Sequence, residues 1–150
     1  MSEIDEIDAR ILHALESDGR LTNAALAERV GLSASACLRR VQGLERAGVS
    51  TGYRARIDRR RLGRSFTSFV MVGLSSHTRE AQRTFESAMA AAPEVIECHN
   101  ITGTVEYLLR IEVSDLAAYK KFHADGLGGL RDVSSITSYV VMASPKDLRG

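Results

Sequence analysis

The chain has 150 residues, of which 44% are apolar, and a formal net charge of +1. This apolar share supports a packed core and excludes a disordered chain. No apolar run approaches the roughly 18–20 residues that span a bilayer. The acidic start MSEIDEIDAR also lacks the basic and apolar regions of a signal peptide. We therefore expect a cytoplasmic protein that does not associate with membranes.

The charge is distributed unevenly along the chain. Residues 19–64 carry eleven arginines and three acidic residues, a net charge of +8. Residues 65–150 carry eight basic and ten acidic residues, a net charge of −2. A basic segment of this kind favours a polyanion such as nucleic acid as a partner, although a solvated basic surface has the same composition.

Three helices are predicted over residues 4–47. Apolar residues from Ile4 to Leu15 recur at helical spacing, and Asp18-Gly19 ends this first helix. The second helix follows the capping residue Thr22 and ends at Gly31. The third begins after Ser33, and its buried stripe consists of Cys37, Val41 and Leu44. The short turn between the last two helices predicts a helix-turn-helix.

The other faces of the third helix carry the candidate DNA contacts. Small residues at its start permit close approach to a groove, and Arg39 is the best candidate for a phosphate or guanine contact. Arg40 lies near the buried stripe, so pairing with Glu45 or with aspartates of the first helix is the alternative. An ordinary three-helix core with a polar exterior also fits this spacing. The candidate DNA-binding residues are Ser33, Ser35, Leu38, Arg39, Arg40 and Gln42.

The segment VSTGYRARID predicts an extended strand, and the basic DRRRLGR that follows predicts a connection. We therefore divide the chain into a helix-turn-helix domain (1–48), a strand and linker (49–64) and a second domain (65–150).

The second domain shows the order β-α-β-β-α-β. Strands are predicted in SFTSFVMVGLSS, VIECHNIT, VEYLLRIEV and SSITSYVVMA, and helices over 79–92 and 115–125. Gly103-Thr104 is expected to join the middle strands as a tight hairpin, and GLGGL to form a flexible stretch. The predicted fold class is α+β, with an N-terminal winged-helix-like helix-turn-helix domain and a C-terminal βαββαβ ferredoxin-like α/β sandwich.

Several motifs together resemble the Lrp/AsnC (feast/famine) family of transcriptional regulators. IDARILHALESDGR is similar to the opening helix of that family, LSASACLRRVQGLERAGV to its recognition helix, GYRARID to its linker strand and CHNITGTVEYLLRI to its effector-domain hairpin. The resemblance covers nearly the whole chain. It implies a regulator that binds double-stranded DNA, forms homodimers through its C-terminal sheets, and assembles further into tetramers or octamers.

The resemblance also implies a small effector, an amino acid or related metabolite, bound near the hairpin. Glu106 is expected as a free carboxylate that receives an ammonium group, although an exposed strand charge is the alternative. His99 and Asn100 are polar residues in a strand otherwise suited to burial, and Thr104 stands where the family usually has an acid. The candidate effector residues are His99, Asn100, Thr102, Gly103, Thr104, Glu106 and Tyr107.

No catalytic, metal or cofactor site is predicted. The four histidines are scattered, and no nucleophile motif or phosphate-binding loop is present. Cys37 and Cys98 have no metal-ligand spacing, so both are expected as buried thiols. The hypotheses are therefore a DNA-binding regulator, a metabolite-sensing interaction module without specific DNA binding, and, least favoured, an enzyme.

Overall fold

The computed structural model describes residues 4–147 and divides between Ala55 and Arg56 into two compact units. We call residues 4–55 the head unit and residues 56–147 the sheet unit. The division lies within the segment 49–64 that the sequence analysis assigned to strand and linker. Within the described residues, no helix is both long and apolar enough to cross a membrane.

The head unit consists of three helices whose ends follow the predicted capping residues. Thr22 and Ser33 accept hydrogen bonds from the N–H groups of Ala25 (3.2 Å) and Ala36 (3.3 Å). Gly31 ends the second helix with a φ of 74°, a left-handed conformation that favours glycine. The helices are α1 (Glu6–Ser17), α2 (Asn23–Val30) and α3 (Ala34–Arg46).

The helices of the head unit pack around one apolar core. Cys37 and Leu44 of α3 are buried in it and Val41 packs against it, as the predicted stripe requires. The remaining buried members of this core are Ile11, Ala14, Leu26, Ala27 and Val30. Because α3 buries only this stripe, its opposite side faces solvent.

The sheet unit has the predicted βαββαβ order. Its strands lie in the order β2-β3-β1-β4, and every neighbouring pair is antiparallel. A 3₁₀ turn (Arg59–Leu62) precedes the sheet, and the second helix continues into a π-helical segment (Phe122–Leu127). The elements are β1 (Phe66–Leu74), α4 (Arg79–Ala91), β2 (Val95–Asn100), β3 (Tyr107–Val113), α5 (Leu116–Lys121) and β4 (Val133–Val140).

The helices pack against one face of this sheet. Val70 and Val72 of β1 and Leu109 of β3 are fully buried in the same core as Phe85 of α4 and Phe122 after α5. Because side chains alternate along a strand, the residues between them point to the other side. We call that side the outer face. Its members on the two central strands are Thr67, Phe69, Met71, Leu108, Arg110 and Glu112.

Two sequence-based expectations about local structure are wrong. The predicted strand in VSTGYRARID is not formed, because residues 51–58 have no regular secondary structure. A strand requires a hydrogen-bonded neighbour, and the four described strands pair only with one another. The segment GLGGL was expected to be flexible throughout, but its first two residues belong to the π-helical segment. Leu127, the last residue of that segment, is completely buried.

The hairpin between β2 and β3 is wider than expected. The last pair is Ile101 and Glu106, where the Ile101 N–H donates to the Glu106 carbonyl (2.9 Å). Four residues therefore form the turn instead of two. A two-residue type I′ turn requires positive φ at both central positions. Gly103 has a φ of 132°, but no described residue other than glycine has a positive φ, so Thr104 does not meet that requirement.

Two glycines of the head unit provide a matched stability prediction. A Cβ at Gly31 or Gly43 meets no atom within 4 Å, so only the backbone distinguishes the two sites. Gly43→Ala in the interior of α3 should raise the free energy of unfolding by about 1 kcal/mol. Gly31→Ala should lower it by about 1 kcal/mol, because alanine is strained at positive φ. Urea unfolding of both variants measures these changes. If both substitutions shift the free energy of unfolding in the same direction, the assignment of Gly31 as the end of α2 is contradicted.

Candidate nucleic-acid interface and effector site

The solvent-facing side of α3 carries five of the six candidate DNA contacts. Ser35, Leu38, Arg39 and Gln42 are exposed and follow one another at helical spacing, with Ser33 at the start of the stripe. Leu38 is 45% exposed, which leaves its methyl groups accessible. The stripe offers hydroxyl, amide, guanidinium and methyl groups, the types that contact base edges and phosphates.

The start of α3 is fixed by local hydrogen bonds. The Asn23 side-chain amide donates to the Ala34 carbonyl (2.8 Å), which joins the first residue of α2 to the first residue of α3. Ser33 Oγ caps α3 and lies 3.3 Å from Ser35 Oγ. Sequence reasoning missed Asn23, although an amide at the start of a helix near a turn is the available signal. These contacts hold a helix N-terminus, where backbone N–H groups favour a phosphate.

Arg40 is engaged within the head unit. Its Nη1 atom lies 2.7 Å from Asp5 Oδ2 and 2.8 Å from Asp8 Oδ1. The other proposed partner, Glu45, instead accepts a hydrogen bond from the Tyr53 hydroxyl (3.0 Å). The structure therefore contains the alternative left open for Arg40, pairing with aspartates of the first helix. Arg39, by contrast, is exposed.

The expectation of a free carboxylate at Glu106 is wrong. Glu106 Oε2 accepts a hydrogen bond from the Leu74 N–H (2.7 Å), and Oε1 lies 3.0 Å from Nδ1 of His77. These contacts tie the end of the hairpin to the last residue of β1 and to His77, which follows that strand. His77 was missed because its partner is distant in sequence. Thr102, Gly103 and Thr104 are exposed in the turn itself.

Tyr107 and Asn100 meet in a cleft of about 310 Å³ between α4 and β2. Tyr107 is fully buried, and its hydroxyl donates to Glu86 Oε1 (2.8 Å). Burial, followed by the contact with Glu86, raises the pKa of Tyr107 to about 12. Glu86 was not identified from the sequence, because an exposed helical glutamate has no distinguishing pattern. The phenol therefore remains protonated and a hydrogen-bond donor at neutral pH.

The remaining candidate, His99, lies apart from this cleft. It is exposed, and its Nε2 atom is 3.3 Å from Glu97 Oε2. Cys98, between His99 and Glu97, is exposed, so the expectation that both thiols are buried is wrong for this residue. β2 is an edge strand with a neighbour on one side only, which leaves its end accessible. Partial burial nevertheless raises the pKa of the Cys98 thiol, with a further contribution from Glu86.

The outer face contains an ion network that the sequence did not reveal. Arg110 is almost completely buried and donates to Glu112 Oε1 (3.0 Å) and to Asp147 Oδ2 (3.1 Å). Arg59 Nε lies 3.8 Å from Glu112 Oε2, and Glu97 Oε1 lies 3.9 Å from Arg110. Alternation along VEYLLRIEV puts Arg110 and Glu112 on the face opposite Leu109, but this pattern cannot show which segments cover them. Val141 and residues 143–147 line a cavity of about 400 Å³ together with Phe69 and Arg110.

Comparison with known proteins identifies both parts of the chain. Residues 4–45 match the AsnC-type helix-turn-helix domain, and residues 67–150 match the Lrp/AsnC ligand binding domain. The first match contains α1, α2 and most of α3, and the second contains nearly all of the sheet.

Relatives and solved structures agree over nearly the full length. The Bkd operon transcriptional regulator of Pseudomonas aeruginosa is 39% identical over 97% of this chain and 99% of its own length. The leucine-responsive regulatory protein of Escherichia coli K12 is 38% identical over 96% of this chain and 88% of its own length. A transcriptional regulator of Neisseria meningitidis in complex with L-Met has a TM-score of 0.92 and 34% identity, over 97% of this chain and 94% of that structure. The chain belongs to the Lrp/AsnC family of transcriptional regulators.

Proposed function

We propose that this regulator acts in the cytoplasm as a homodimer that binds a two-fold DNA operator sequence-specifically and responds to an amino acid or related metabolite. The observation that carries the proposal is the exposed stripe of α3, which combines Ser35, Leu38, Arg39 and Gln42 on one side of a firmly capped helix. Its opposite side supplies Cys37 and Leu44 to the core.

Each side chain of the stripe has a defined role in this proposal. Gln42 and Ser35 hydrogen-bond base edges, and Leu38 contacts a thymine methyl group. Arg39 binds a phosphate or a guanine edge, and Ser33 brings the N-terminus of α3 to the backbone. In a symmetric dimer the two recognition helices enter major grooves about 34–36 Å apart, one turn of DNA.

The outer face of the sheet supports the homodimer. Met71 and Leu108 are cross-strand partners on this face, as are Phe69 and Arg110. Tyr139, the partner of Phe69 on β4, is 55% exposed. A sheet with helices on one side normally covers an apolar second side with another layer. A second copy supplies that layer here, and the family resemblance extends the assembly to tetramers or octamers.

Two of the compared proteins motivate the amino acid effector. One is named as leucine-responsive, and the structure from Neisseria meningitidis contains L-Met. In this chain the turn Thr102–Thr104 and Glu106 form the proposed site, with Tyr107 and Asn100 beside it. Since Glu106 already binds His77 and the Leu74 N–H, an effector ammonium group would compete with His77 for Oε1.

Arg39 provides the test of the DNA interface. The protein is first used to select duplexes from a random library, and the enriched sequence becomes the selected duplex. Each phosphate contact contributes about 0.9 to the slope of log affinity against log salt concentration. Arg39→Met should therefore weaken binding and reduce this slope by about 1 for each protomer. Arg83→Met on the exposed side of α4 is the control and should change neither quantity. Failure to enrich any sequence would contradict specific DNA binding.

Glu106 provides the test of the effector site. L-methionine, L-leucine and the other eighteen amino acids are added separately while thermal unfolding is recorded. A ligand at a hundredfold excess over its Kd should stabilise the folded state by about 2.7 kcal/mol. Glu106→Gln should abolish this stabilisation, because a neutral amide does not hold an ammonium group as a carboxylate does. Glu80→Gln on α4 is the matched control. Stabilisation that survives in Glu106→Gln would place the effector elsewhere.

A further inference from the structure

The two aspartates at the start of α1 use all four carboxylate oxygens within the head unit. Asp5 Oδ1 accepts from the Asp8 N–H (2.8 Å), and Asp8 Oδ2 accepts from the Asp5 N–H (3.4 Å). These two bonds form the capping box of α1. The other oxygens, Asp5 Oδ2 and Asp8 Oδ1, both accept from Arg40 Nη1. One guanidinium nitrogen therefore joins the start of α1 to the middle of α3.

The environment of this cluster makes it more than a surface ion pair. The Asp8 side chain is 12% exposed and that of Arg40 is 32% exposed, so water screens their attraction only in part. The Asp8 N–H and then the Arg40 guanidinium hold the pKa of Asp5 below its usual value. Asp8 and then Asp5 raise the pKa of Arg40. Both pKa shifts favour the charged forms of Asp5 and Arg40, and the guanidinium faces two carboxylates at the start of α1.

We propose that Arg40 is a positioning residue for DNA reading, which clamps α3 to α1 through Asp5 and Asp8 and does not itself contact DNA. Adjacent residues on a helix point about 100° apart. With Arg40 directed to α1, its neighbour Arg39 is directed to solvent, together with Ser35 and Gln42. The clamp thereby sets the rotation of α3 about its own axis. The inference rests on the proposed DNA interface of α3.

If Arg40 is a clamp, replacing either aspartate should lower the affinity for the selected duplex, whereas the change in charge alone would raise it. Replacing an aspartate by asparagine removes a negative charge from a DNA-binding domain and should raise its affinity for any duplex. If Arg40 were a phosphate contact, losing Asp8 would also release it toward DNA. If Arg40 is a clamp, the same change lets α3 rotate and weakens the base contacts. Affinity for the selected duplex then falls while affinity for an unrelated duplex does not.

The experiment compares five variants of the full chain on the selected duplex and on a scrambled duplex of equal length. Fluorescence anisotropy gives the affinity at several salt concentrations, and circular dichroism and thermal unfolding verify the fold. Asp5→Asn retains an amide oxygen that can cap α1, so it keeps the test available if Asp8→Asn does not fold. The variants are Asp5→Asn, Asp8→Asn, Arg40→Met, the double variant Asp8→Asn/Arg40→Met, and Arg39→Met as the exposed neighbour.

We expect each aspartate variant and Arg40→Met to bind the selected duplex about tenfold more weakly, which is within the range of coupling inside one network. Their salt slopes should equal that of the unchanged protein, and the double variant should lose no more affinity than either single one. Affinity for the scrambled duplex should stay the same or rise in the aspartate variants. Arg39→Met alone should lower the salt slope.

Two results would overturn the clamp. The first is unchanged or higher affinity of folded Asp5→Asn and Asp8→Asn for the selected duplex. The second is a salt slope that falls in Arg40→Met as it does in Arg39→Met, which would make Arg40 a phosphate contact. Failure of the DNA interface itself looks different, because Arg39→Met would then leave affinity and slope unchanged.

Discussion

The sheet unit has two helices for the two faces of a four-stranded sheet, and both helices lie on the same face. α4 and α5 bury Val70, Val72 and Leu109, while Met71 and Leu108 on the outer face receive no helix. An antiparallel sheet tolerates one solvated face when that face is polar. Here apolar side chains share the outer face with Arg110 and Glu112. These two charged groups pair with each other, and Arg110 also pairs with Asp147. A second copy of the chain is the covering layer that this arrangement favours.

In the head unit, α3 likewise buries one side in the core and leaves the other side exposed. Cys37 and Leu44 hold one side of α3 in the core, and Arg40 ties its flank to Asp5 and Asp8. The remaining side carries mixed hydrogen-bonding and apolar groups, and Arg39 and Arg46 of α3 are exposed cations. A helix with one side held in the core and the other side free suits groove binding, because its exposed side chains have set positions. Pairing through the sheets would supply the second recognition helix that a two-fold operator needs.

Local sequence signals predicted most of the fold. Thr22, Ser33 and Gly31 set helix ends through short-range capping, and apolar spacing located the buried stripe of α3 and the βαββαβ order. These features depend on residues that are neighbours in the chain. The predicted strand in VSTGYRARID depends instead on a hydrogen-bonding partner, which the described residues of one chain do not supply.

The candidate sites were less predictable, because their contacts join residues far apart in sequence. Spacing indicated that Arg40 had two alternatives, and only the packing of α1 against α3 places Asp5 and Asp8 beside it. Glu106 was expected to be free, but the end of β1 and His77 take both of its oxygens. The cover over Arg110 comes from residues after β4, which no periodic pattern reveals.

Sedimentation velocity of the full chain tests most directly whether the outer face joins two copies. Met71→Lys places a charge at the centre of that face, and Ser87→Lys places the same charge on the exposed side of α4. The unchanged protein and Ser87→Lys should sediment as dimers or larger assemblies, and folded Met71→Lys as a monomer, because a buried unpaired charge is costly. An unchanged protein that is monomeric, or a Met71→Lys variant that assembles like it, would contradict the account.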